Sequence, residues 1–81
     1  MKITVKTFAT VTDITGFSSS SIEITEGKTV GYVLKNLQGE YPKLENINDS
    51  LLAAVNEEYA EHNHELKDGD VLAIFPPVSG G

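Results

Sequence analysis

Neither cysteine nor arginine occurs in this 81-residue chain. Without cysteine there is no disulfide framework, no thiol nucleophile and no cysteine-based zinc site, which suits a reducing compartment. Arginine is the usual reader of phosphates and base edges. Its absence, with a formal net charge of −6 and lysine supplying all 6 cations, argues against a nucleic-acid partner. The same charge suits a basic protein partner, whose encounter it would speed. No apolar run approaches bilayer-spanning length, and Met1-Lys2-Ile3-Thr4 lacks the apolar core of an export signal. The expectation is a cytoplasmic protein with no membrane and no nucleic acid among its partners. With 40% hydrophobic residues the chain has enough for one core and no room for a second, so 1–81 is expected to be a single domain.

What is present is a succession of short periodic segments. From Lys2 to Phe8 the polarity alternates, with Ile3, Val5 and Thr7 facing one way and Lys2, Thr4 and Lys6 the other, which predicts a strand. Phe8 falls on the polar face or at the strand end, where it either meets a partner or folds over the core edge, the commoner fate of a lone aromatic. Val11, Ile14 and Phe17 are spaced by three and predict a short helical turn, followed by a loop through Gly16 and Ser18-Ser19-Ser20-Ser21. Ile22 and Ile24 alternate with Ser21, Glu23 and Thr25 in a second strand, antiparallel to the first. Thr29 is placed to cap a helix whose stripe is Val30, Val33, Leu34, Leu37 and Tyr41. Gly31 reads as a close approach of that helix to the sheet, and Pro42 ends it.

Leu44 and Ile47 anchor a polar connector. Leu51 to Asn56 predicts a buried strand, Asn56-Glu57-Glu58 a turn, and Tyr59-Ala60 a short edge piece. His62-Asn63-His64 is a polar loop, Asp68-Gly69 a tight turn, and the near-continuous apolar run Val71 to Phe75 a central last strand. The order predicts an α+β design, a mixed sheet with one main helix across one face, in which the first and last strands lie side by side.

The side chains offer no convincing active site. His62 and His64, two residues apart in a loop, are a poor zinc signature, and Asp68-x-Asp70 lacks the further oxygens of a calcium loop. Glu57 and Glu58 would need a cleft to act as an acid/base pair. Ser79 has no histidine near it, and Gly27-Lys28-Thr29 lacks the upstream glycine of a phosphate loop. No metal and no bound cofactor are expected, which favours a carrier over an enzyme. The last strand runs into Pro76-Pro77-Val78-Ser79-Gly80-Gly81. Two prolines without N–H donors stop a strand and project the tail away from the sheet; two glycines make a tip thin enough for a narrow slot. The carboxylate of Gly81 is therefore expected to be the working group.

The ending Phe75-Pro76-Pro77-Val78-Ser79-Gly80-Gly81 resembles that of the small subunits of molybdopterin synthase, the molybdopterin-converting factor small-subunit family of ubiquitin-like sulfur carriers. The likeness continues upstream through Leu66-x-Asp68-Gly69-Asp70 and Leu51-Leu52-Ala53-Ala54-Val55-Asn56, and weakly at Phe8-Ala9-x-Val11. Pro76-Pro77-Val78-x-Gly80-Gly81 is its most specific part. The resemblance implies a ubiquitin-like β-grasp fold. It implies that a ubiquitin-activating-like adenylyltransferase, using ATP, adenylates Gly81, and that sulfur then displaces AMP to leave a thiocarboxylate. The tail would enter a pocket of the synthase large subunit and give its sulfur to cyclic pyranopterin monophosphate in molybdenum cofactor biosynthesis, within a heterotetramer.

By the same resemblance, Gly80 is the thin approach to Gly81, while Pro76, Pro77, Val78 and Ser79 line the insertion path. Phe8, Phe75 and Tyr59 are the partner contacts. Thr12 stands where the family often carries an arginine, so that contact would be made differently here. A bare Gly80-Gly81 ending also suits sulfur carriers for thiamine, tRNA thiolation or cysteine, and a ubiquitin-like modifier whose Gly81 forms isopeptide bonds with lysines.

Overall fold

The alternation of Ile3, Val5 and Thr7 builds the first strand, β1 (Lys2–Thr7), with those three buried and Lys2 and Lys6 exposed. The structure, a computed structural model, describes residues 1–46 and 51–76. After β1 come α1 (Thr10–Thr15), β2 (Ser19–Glu23), α2 (Val30–Glu40), a 3-10 turn (Pro42–Asn46), β3 (Leu52–Val55), β4 (Glu58–Ala60) and β5 (Val71–Phe75). The sheet has 5 strands in the order β2-β1-β5-β3-β4. β1 and β5 are neighbours, as expected; they run parallel, and the other pairs are antiparallel. Ile47 lies outside the described residues.

One face of the sheet meets α2. Val30, Val33, Leu34 and Leu37 form the buried stripe of the helix. They share a core with Ile3, Val5, Ala53, Val55, Leu72 and Ile74 from the strands, closed by Val11, Leu44, Leu51 and Leu66. The cap is the expected one, since the Thr29 hydroxyl accepts from the Tyr32 N–H at 3.2 Å. The other first-turn donors go to a loop. The Val30 N–H reaches the His64 carbonyl at 3.0 Å, and the Gly31 N–H reaches that of His62 at 2.7 Å. That is the reason for glycine at 31: a Cβ there would sit 3.1 Å from the His62 carbonyl oxygen. The close approach is to this loop and not to the sheet. With its free N–H groups occupied, the helix start is also no cradle for phosphate.

Three local expectations change. Ser19 and Ser20 are not loop but strand, so β2 starts two residues before Ser21, and the three pair with Lys6, Val5 and Thr4. Serine has little strand preference of its own; the ladder offered by β1 overrides it. Phe17 lies beyond α1, half-buried, its ring tilted against Tyr41 at 6.5 Å. Phe8 comes directly after β1 and turns away from the core, 42% exposed.

The hairpin between β3 and β4 carries strain. Val55 pairs with Glu58, so Asn56 and Glu57 form a two-residue loop with φ of 52° and 72°. A type I′ turn needs both angles positive, which suits asparagine and ill suits glutamate. Glu57→Gly is expected to raise unfolding stability by about 0.5–1 kcal/mol, since relieved left-handed strain exceeds the extra chain entropy of glycine. Urea unfolding checks this; a lowered midpoint would show that Glu57 makes a compensating contact.

Candidate docking face and carrier tail

Among the described residues no helix lies over the second face of the sheet. Because side chains alternate along a strand, β5 buries Leu72 and Ile74 towards α2 and turns Val71, Ala73 and Phe75 the other way. Register brings their neighbours together: Ala54 sits opposite Ala73, Leu52 opposite Phe75, Lys6 beside Ala73, and Tyr59 opposite Ala54. The two alanines make a low floor. Around it stand the Phe8–Phe75 pair, whose rings stack at 4.7 Å and within 9° of parallel, and the side chain of Tyr59, 80% exposed. Lys6, Asn56 and Glu57 add polar edges. The result is a shallow hollow of about 610 Å³ with an aromatic rim.

The structure thus brings Phe8, Tyr59 and Phe75 onto one face. Pro76, half-buried, comes directly after Phe75. The remaining tail positions, Pro77, Val78, Ser79, Gly80 and Gly81, lie outside the described residues. Sequence reasoning passes over Ala54, Ala73 and Lys6, although their strand parity with Tyr59 and Phe75 carries the signal. It also misses what Asn56 does. The Asn56 side chain accepts from the Val71 N–H at 3.0 Å and donates to Asp70 at 2.9 Å, extending the β3–β5 ladder past its end. That clasp holds the hairpin bearing Tyr59 against the strand bearing Phe75.

Thr12, in the position often held by arginine in the resembled family, is turned inward to the Thr7 hydroxyl at 2.9 Å. Lys28 lies with its Nζ 4.7 Å above the Tyr32 ring. Asp68 and Asp70 accept from the backbone N–H groups of Lys2 and Lys67 at 2.7 and 2.8 Å, around a turn with Gly69 at φ 87°. The His62 ring places Nε2 3.3 Å from the Leu51 carbonyl. Among the described residues no group of three metal-ligating side chains gathers, and no helix is long and apolar enough to cross a membrane.

A mixed sheet of this strand order, with one long helix across one face, defines a ubiquitin-like β-grasp domain. The chain belongs to the ThiS family, which matches residues 5–81. It is similar to the molybdopterin synthase sulfur carrier subunit of Arabidopsis thaliana, 33% identical over 100% of this chain and 84% of that protein. It is similar to the small archaeal modifier protein 1 of Haloferax volcanii, whose crystal structure is 31% identical with a TM-score of 0.82, each chain covering 100% of the other. A subunit in the complex of subunits 1 and 2 of molybdopterin-converting factor from Helicobacter pylori is 26% identical with a TM-score of 0.68, again over 100% of both chains.

Proposed function

We propose that this chain is a sulfur carrier, the small subunit of a molybdopterin synthase, acting in the cytoplasm. The observation that supports the reading is the aromatic-rimmed hollow beside Phe75, the residue directly before Pro76. A carboxylate is a poor acyl donor, so it needs activation. A Gly81 carboxylate oxygen attacks the α-phosphorus of ATP on a ubiquitin-activating-like adenylyltransferase, and pyrophosphate leaves. A persulfide sulfur then attacks the acyl carbon and AMP leaves. A second thiol cleaves the sulfur–sulfur bond and frees the thiocarboxylate.

The Phe8–Phe75 face docks on the large subunit, and Pro76 to Gly80 thread the tip into its pocket. Each thiocarboxylate gives one sulfur to cyclic pyranopterin monophosphate, so a dithiolene takes two. A heterotetramer with two small and two large subunits suits that stoichiometry. ATP serves the activating enzyme; this chain binds no cofactor.

The test is reconstitution. Thiocarboxylated protein mixed with large subunit and precursor is expected to yield molybdopterin, one dithiolene per two carriers consumed. A second reading, a protein modifier, is favoured by the likeness to the Haloferax protein. It calls for isopeptide-linked adducts through Gly81 and no dithiolene.

A further inference from the structure

The orientation of Phe8 is set by an unusual piece of backbone. The Val11 N–H bonds to the Phe8 carbonyl at 3.1 Å, closing a turn with Ala9 at its first central position. Ala9 has φ 52° and ψ −127°, the conformation that a type II′ turn requires and that glycine usually fills. An alanine stays there only if its surroundings over-determine it. They do so on the α1 side of the turn. Val11 is fully buried, and the Asp13 N–H bonds to the Ala9 carbonyl at 3.2 Å. Thr7, a polar side chain only 3% exposed, donates its hydroxyl proton to the Phe17 carbonyl, which leaves its oxygen to accept from Thr12 at 2.9 Å. The hydroxyl chain Thr12 to Thr7 to Phe17 ties α1, the end of β1 and the connection leading into β2 into one unit, and the Phe8–Ala9 turn is a corner of it.

We propose that Ala9 and Thr12 are positioning residues of the docking face: the strained turn, held by the threonine chain, fixes the Phe8 ring flat on Phe75 before a partner arrives. A pre-set ring gives up less side-chain freedom on binding than a free one. The affinity part of this inference rests on the sulfur-carrier reading above; the ring geometry does not.

Two measurements on the full chain test it. The first is ring-current NMR shifts of the Phe8 and Phe75 ring protons in the free protein. Ala9→Gly and Thr12→Val are expected to weaken the mutual shifts, and Thr12→Ser, which keeps the hydroxyl, to restore them. The second is affinity for the synthase large subunit. Thr12→Val is expected to weaken it about fivefold in the parent and not at all in a Phe8→Ala background, because the lost hydrogen bond acts only through that ring.

Ala9→Gly separates positioning from plain stability. It is expected to raise the unfolding temperature while lowering affinity, whereas a purely structural role moves both the same way. Unchanged ring shifts in Ala9→Gly and Thr12→Val would overturn the proposal. So would an undiminished effect of Thr12→Val in the Phe8→Ala background. If Phe8→Ala itself left affinity unchanged, the docking reading would fail, and the NMR arm would still decide how the ring is held.

Discussion

Replacing Gly81 by valine, or removing it, is expected to lower sulfur transfer by about two orders of magnitude or more, with no change in unfolding midpoint. Deleting one residue moves the acyl carbon by about 3.3 Å, and misplacing reacting atoms by even 1 Å can cost a hundredfold. The branched side chain of valine would act differently, being too wide for the narrow slot proposed to receive the glycine tip. The fold should not register either change, because the core runs from Ile3 to Ile74 and no residue beyond Phe75 belongs to a strand among the described residues. Initial rates with purified activating enzyme and large subunit, beside a thermal melt, measure both quantities. A chain extended beyond Gly81, or amidated there, that kept full activity would contradict the assignment of the working group.

The second large effect is on docking, and adjacent residues of β5 separate it from stability. Phe75→Ala is expected to weaken large-subunit binding by about thirtyfold, the size of an interface hot spot for a central aromatic. Ile74 is fully buried on the opposite side of the same strand. Ile74→Ala is expected to cost about 2–5 kcal/mol of stability and to leave the affinity of the folded fraction nearly unchanged. Calorimetric titration together with urea unfolding reads both effects. Equal loss of affinity in the two variants would mean that the face acts only through overall stability, and the docking assignment would fall.

The elements legible in the sequence are those whose periodicity is strong. The stripe Val30, Val33, Leu34, Leu37 repeats at helical spacing and becomes the buried side of α2, capped by Thr29 as its hydroxyl suggests. β1 and β5 are readable from alternation and apolarity, and so is their adjacency; that they run parallel comes from the structure. The failures fall where one residue depends on a distant one. Ser19 and Ser20 are strand because β1 pairs with them. Gly31 answers to the His62 carbonyl, which is far along the chain. The direction of Phe8 depends on a positive φ at Ala9, and alanine gives no hint of that conformation. The candidate docking face is only half visible in the sequence. Aromatic residues draw the eye, while the floor made by Ala54 and Ala73 emerges only when the register of β3 against β5 is known.

The most direct test of sulfur carriage is the intact mass of the protein purified from its native host without a C-terminal tag, with fragmentation of the C-terminal peptide. A fraction heavier by the difference between one sulfur and one oxygen, localised to Gly81 and increased by incubation with ATP and the activating enzyme, is expected. A terminus that stays a plain carboxylate after that incubation, or one found only in isopeptide linkage to lysines of other proteins, would contradict it.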